Sequence, residues 1–483
     1  MSAPHPPPPS DAAPSQCYIL RLPDELLSDI VSTVASWPDN IDGTEFLSLY
    51  ADRWTLTLVC RRFHVLATPL LYSRLVLTLR WTINASLSQS SDYLSITQER
   101  VEQLQSEHGG RGVMRLHRTL ECNPALRGLC RELNLDLADS HWRHLTFLSR
   151  AASFVTWLTE VRSLRVHDGF GRTRTSPVMQ LIGTAARYMS ALEKLTYTAH
   201  YHPGIRGELP PESEMQKVVA RFPRLRELHL VGCVKYFGVD YELLKTVRGQ
   251  SPLTTISLND SIDGVAALTS LLAWPSQLEQ FTCLGRTRPG WSPLKFRNIW
   301  SALVPHLQSL KSVRVGSVEN PSPYRTIRGK LGGIDFSLFS ALTFLGVSVW
   351  STGTDGGEAG LLAPRLEEFE WSFDGEDGRV LLLNYFGADE EGFLRRFAEA
   401  ALEREVPLRR ISVVFSPQPV VGLISFGLES LNPEYPWDCM DRLAGELKEV
   451  GVELTYNEPC VSREKFEEAL GSARQLLRRP VLP

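Results

Sequence analysis

The chain of 483 residues carries 51 Lys and Arg against 55 Asp and Glu, a formal charge of −4, with 43% hydrophobic and 22% charged residues. That length exceeds one ordinary core and suits two or three domains, or one extended repeat array. The near-neutral balance argues against a surface built throughout to grip nucleic acid or anionic lipid. No apolar run approaches the ~18 residues needed to span a bilayer. The longest, at 380–383 and around 420–428, fall far short, so neither a nucleic-acid nor a membrane partner is expected.

Residues 1–17 contain four consecutive prolines, Pro6 to Pro9, and too little apolar surface to order themselves. They are expected to form a disordered tail, and no signal peptide is expected because a basic segment followed by an apolar run is missing. Leu22-Pro23-Asp24-Glu25 then opens a helix: proline is preorganised for the first turn, and two acids there favour the helix dipole. Leu26, Leu27, Ile30, Val31 and Val34 follow at helical spacing, and Trp37-Pro38 stops the run. A second helical stretch is expected near Thr44. A third runs from about Trp54 to Leu66, with Leu58, Val59, Phe63 and Leu66 on one side. Thr68-Pro69 reads as a cap and first-turn proline for a short helix through Leu70, Leu71 and Tyr72. By composition and spacing, this is a small helical interaction module or a simple N-terminal cap on the rest of the chain.

The strings Leu22-Pro23-Asp24-Glu25-Leu26-Leu27-Ser28-Asp29-Ile30, Leu58-Val59-Cys60-Arg61-Arg62-Phe63, Leu66-Ala67 and Pro69-Leu70-Leu71-Tyr72, in that order, resemble an F-box. They are especially similar to the fungal F-box proteins. The stretch from Trp37 to Trp54 is longer than in compact members. The resemblance covers about 60 residues and implies a three-helix F-box over 18–80 that docks on the Skp-type adaptor of a cullin–RING ubiquitin ligase. Leu22, Pro23, Leu26 and Ile30 would enter the adaptor, with Leu58, Val59, Cys60 and Phe63 beside them. The implied role is the non-catalytic substrate-recognition subunit of an SCF-type (Skp–cullin–F-box) E3 ligase. The alternative is an F-box scaffold or regulator acting outside ubiquitination.

Residues 81–112 are polar and read as a linker with some helix. From 113 to 480 one short pattern recurs, apolar-x-x-apolar-x-apolar. Its central residues are Leu133, Leu164, Leu195, Leu228, Ile256, Phe281, Val313, Leu345, Phe369 and Ile411, with a looser match at Leu454. These positions run from 133 to 454 in ten steps, a mean of about 32. Apolar residues two apart share one face of a short strand. Helical stretches are expected between strands, at 215–221, 299–307 and 393–402. A strand with a returning helix cannot bury its apolar face alone, so neighbours stack. The expected fold is an α/β repeat: an irregular leucine-rich-repeat-like solenoid with a parallel sheet on its concave face and a closing helix at 462–477. Phe222-Pro223-Arg224-Leu225 and Ala363-Pro364-Arg365-Leu366 also resemble fungal F-box leucine-rich proteins.

An α/β enzyme would need a phosphate loop or a nucleophile turn. Gly169-Phe170-Gly171 lacks the third glycine and an immediate helix, and the 353–360 segment lacks the lysine and hydroxyl of a P-loop. His141 with His144, and His200 with His202, have no Cys or Asp set to complete a metal site. Asp389 to Glu391 and Arg395-Arg396 read as a solvated helix face. No cofactor or metal is expected. Eight cysteines without a C-x-x-C, among them Cys60, Cys233 and Cys283 with apolar neighbours, point to a reducing compartment, cytoplasm or nucleus. Along each strand, residues alternating with the buried ones should face out. Arg314, Glu368, Glu370 and Arg410 cluster there in repeat order and are expected to hold a protein target.

Overall fold

The computed structural model describes residues 18–34, 53–78, 110–137, 145–168, 177–199, 221–232, 249–259, 265–284, 296–316, 335–352, 357–373, 386–415 and 434–477. The tail at 1–17, the second helix near Thr44 and all but the last residue of the helix expected at 215–221 lie outside them. So do most of the linker, Cys233, and both histidine pairs.

Twelve strands form one open, parallel sheet whose spatial order is the sequence order. They are β1 (Arg74–Thr78), β2 (Glu132–Leu137), β3 (Ser163–Asp168), β4 (Lys194–Ala199), β5 (Glu227–Val231) and β6 (Thr255–Asn259), then β7 (Gln280–Leu284), β8 (Ser312–Val315), β9 (Phe344–Ser348), β10 (Glu368–Ser372), β11 (Arg410–Val414) and β12 (Glu453–Tyr456). The recurring pattern sets the register. Leu133, Leu164, Leu195, Leu228, Ile256, Phe281, Val313, Leu345, Phe369, Ile411 and Leu454 lie side by side across eleven strands. The apolar residue three positions upstream is buried in ten of these repeats, from Cys130 and Val161 to Leu366 and Leu408. Just before each of β2 to β10, one carbonyl accepts two N–H groups from the next repeat. Arg131 O receives Arg162 N at 2.8 Å and Ser163 N at 3.0 Å, and the arrangement recurs as far as Glu367 O with Arg409 N and Arg410 N. A strand of five residues with so few bonds of its own is thereby tied to its neighbour before it begins.

Helices in the connections cover the inward face. The step between repeats follows their length. The 42 residues from Phe369 to Ile411 accommodate Ala388–Glu403, whereas the 25 residues from Ile256 to Phe281 hold only Val265–Leu272. Core composition changes along the array. The N-terminal repeats bury mostly Leu, Val and Ile with scattered rings such as Phe154 and Tyr197, while the C-terminal ones bury linked rings: Phe369–Phe397 at 4.3 Å, Trp371–Phe393 at 4.6 Å, Phe373–Phe415 at 5.5 Å and Phe415–Trp437 at 5.4 Å. Trp371 Nε1 donates to Thr352 Oγ1 at 3.0 Å, which satisfies its one buried donor. The closing helix, Arg463–Leu477, packs Phe466 against Tyr435.

Five local expectations need correction. Residues 54–66 do not form one helix: residues 53–59 are helical, Cys60 is extended, and a new helix runs Arg61–Ser73. Thr68 does not cap a further helix, because its hydroxyl already bonds His64 O at 2.6 Å, and Pro69 sits inside the same helix. Residues 74–78 belong to the sheet as β1, with Leu75 opposite Leu133, and the helix Gly110–Cys122 runs across the expected linker boundary. Finally, the Asp389–Arg396 face is solvated only in part, with Asp389 and Arg396 exposed. Glu391 is buried, Arg395 reaches Glu446 on the next helix at 2.7 Å, and Arg396 reaches Glu358 at 2.8 Å.

Candidate functional site

The helical end is assembled around a small core of Leu27, Val31, Phe63 and Ala67. Arg62 joins its two halves, donating to Asp24 Oδ1 at 2.6 Å and to Leu22 O at 2.5 Å. Arg53 is buried and donates to Leu70 O at 2.9 Å, which satisfies a carbonyl in the last turn of Arg61–Ser73. This unit has only one side to bury, so the apolar stripe of Asp24–Val34 divides. Leu27 and Val31 face in; Leu26, Ile30 and Val34 face out. Leu58 and Val59, 65% and 57% exposed, point away from the core, as does Trp54. Pro23 is exposed; Leu22 and Cys60 are half-buried. Phe63 differs from the expectation of a surface contact, because the break at Cys60 rotates it into the small core. Among the described residues, fifteen large apolar side chains are exposed, and eight of them lie between Ile19 and Val65. Trp54, Val34 and Val65 stand out beside the residues expected to meet the adaptor; for Val65, the change of helical phase at Cys60 is what turns it outward.

The sheet face away from the helices carries the alternating residues in two continuous rows. One runs Asn134, Arg165, Thr196, His229, Ser257, Thr282, Arg314, Gly346, Glu370 and Ser412. The other includes Arg74, Glu132, Lys194, Glu227, Gln280, Glu368, Arg410 and Glu453. The four residues expected to hold a target are brought together, but paired with one another and with a neighbour. Arg314 binds Glu370 and stacks over Phe344 at 5.5 Å, while Arg410 lies 3.2 Å from both Glu368 and Glu453. Arg74 pairs with Glu132, and Lys194 with Glu227 at 2.8 Å. His229 Nε2 stands 3.3 Å from the same Glu227 carboxylate. Burial alone would raise the Glu227 pKa, but the bonds from Lys194 and His229 outweigh it and hold the carboxyl below its usual range. Burial pushes His229 down, and Glu227 only partly offsets that.

One group of potential metal donors occurs among the described residues: Glu391, Glu434 and Cys439, whose ligand atoms all lie within 4.8 Å of one another. It does not suit a cation. The Arg442 guanidinium already bonds both carboxylates, and Arg395 approaches Glu391 at 3.5 Å. Burial and the two carboxylates push the Cys439 thiol up to about 12, so it stays protonated. The cluster joins neighbouring helices instead. No family model matches the chain, and no curated protein matches it.

Proposed function

We propose that this chain is the substrate-recognition subunit of an SCF-type ubiquitin ligase, docking through its helical end on a Skp-type adaptor and presenting a target on the sheet array. One observation carries the docking half: exposed apolar side chains are concentrated at the helical end, where Leu26, Ile30, Leu58 and Val59 stand out around a core too small to cover them. These residues belong to the strings that resemble an F-box. The array behind them supports a leucine-rich-repeat-like reading through its sequential parallel strands, and placement in the cytoplasm or nucleus belongs to the same proposal. The cullin and RING partners supply the chemistry; this chain raises the local concentration of the target.

The test is adaptor capture by the full chain. Leu26→Ala with Ile30→Ala should weaken capture by about 2–4 kcal/mol, as loss of buried interface anchors does. Both side chains are already exposed in the free chain, so its melting temperature should hold. Capture that survives the double substitution sinks the docking assignment. Capture without transfer of ubiquitin to any bound protein, once cullin and RING partners are added, favours the scaffold role.

A further inference from the structure

The two rows on the sheet face are not uniform in charge. β6 and β7 present no charged residue there, only Thr255, Ser257, Gln280 and Thr282 with their neighbours. β8 to β12 present two arginines against three glutamates, all in ion pairs. β3 to β5 are the exception, with Arg165 and Lys194 against Glu227. Lys194 is committed to that glutamate at 2.8 Å. Arg165 is exposed and, among the described residues, has no ion-pair partner. Beside it on β2, Asn134 keeps a buried Oδ1 with no hydrogen-bond partner, and on β4 Thr196 offers a hydroxyl. Asp136 and His167, two positions further along β2 and β3, are engaged in interactions of their own.

We infer that the face of β3 to β5, centred on Arg165 and flanked by Thr196, Lys194 and His229, receives a carboxylate side chain from an acidic peptide segment of the target. The inference rests on the reading that the sheet face receives a target. Charge balance selects the occupant. Within β3 to β5, two cations and one anion leave a single positive charge, which one carboxylate neutralises, whereas a phosphate dianion would leave that face negative. The planar fork of Arg165 matches a carboxylate with two parallel hydrogen bonds. Glu227 is already bonded to Lys194 and His229, and the Arg165 guanidinium has no ion-pair partner among the described residues.

The test uses the full chain and fluorescence anisotropy with three labelled Gly/Ser peptides, carrying two adjacent glutamates, two glutamines or two phosphoserines. The glutamate peptide should bind about tenfold more tightly than the glutamine peptide, and Arg165→Ala should remove that preference. Arg187→Ala, which deletes an exposed charge on a helix, should leave it intact. Equal binding of the glutamate and glutamine peptides, an unchanged Arg165→Ala variant, or no binding at millimolar peptide overturns the inference. Tighter binding of the phosphoserine peptide replaces the carboxylate with a dianion and overturns it too. Adaptor capture measured on the same preparations separates the cases: intact capture with failed peptide binding condemns this site alone.

Discussion

Gly346 lets two side chains from strands on either side of it meet. Arg314 on β8 and Glu370 on β10 pair across β9, and a Cβ at position 346 would stand 3.1 Å from Arg314 Cγ and 3.3 Å from the Phe344 ring. Gly346→Ala should therefore displace the bridge and cost about 1 kcal/mol, a half-exposed pair's worth. Arg314→Glu alone should destabilise by a similar amount, and adding Glu370→Arg should restore most of it. Thermal unfolding of the single and double variants measures this, and a strictly additive double variant would show that the pair contributes nothing. The outward direction of both residues was legible from the strand period of two. Their pairing was not, because contact between strands two apart depends on the residue between them being small. A second residue-scale prediction concerns Glu390. Its carboxylate accepts from Gly387 N at 3.0 Å, yet burial, aided by Asp389, raises its pKa from 4.5 to about 7. The native state thus holds a proton that the unfolded chain has released, and stability falls as pH rises through that window. Glu390→Gln keeps the acceptor and removes the titration. Its melting temperature relative to the unaltered chain should rise between about pH 5 and about pH 8; a gap that stays constant with pH contradicts the shift.

Strands β2 to β11 were readable because each repeats the same three apolar positions, and a one-residue slip would have turned all of them to solvent; β12 keeps only the last two, Leu454 and Tyr456. β1 was not, since Arg74-Leu75-Val76-Leu77-Thr78 directly follows a helix that contains Pro69, and the strand pattern was absorbed into the helical unit. At the other end, the ladder continues past the last strand through a side chain. Asn457 accepts from Phe415 N at 2.7 Å and donates to Phe415 O at 2.6 Å, imitating one more residue pair of β12. No linear pattern announces that role. Asn457→Ala should cost about 1–3 kcal/mol by leaving two backbone groups of a buried phenylalanine without partners. Amide exchange at Phe415 should accelerate while exchange at Leu228 does not. Asn457→Asp, which keeps the acceptor and loses the donor, should fall between the two.

Across the whole molecule, stability is distributed by neighbour contacts, because each strand pairs only with the strands before and after it. The ring-lined repeats from β10 to β12 depend on a few large side chains, so damage there should remain local. Phe393→Ala, which removes the ring stacked on Trp371, should cost about 3–5 kcal/mol. Hydrogen exchange should show β10 to β12 opening first while β2 to β5 keep their protection. Uniform loss of protection over all twelve strands would mean that the array unfolds as one unit.

The helix Arg61–Ser73 belongs to both ends of this arrangement. Phe63 and Ala67 lie in the small core, and Tyr72 packs on the large one, immediately before β1 begins. A shaft seated in two bearings leaves no free joint between them. Strand number therefore becomes a measure of reach: at about 4.8 Å per strand, β3 stands about 10 Å along the sheet from β1 and β11 about 48 Å. Whatever sits on Arg165 is held close to the helical end, and whatever sits on Arg410 is carried far from it, along a gauge marked in units of one repeat.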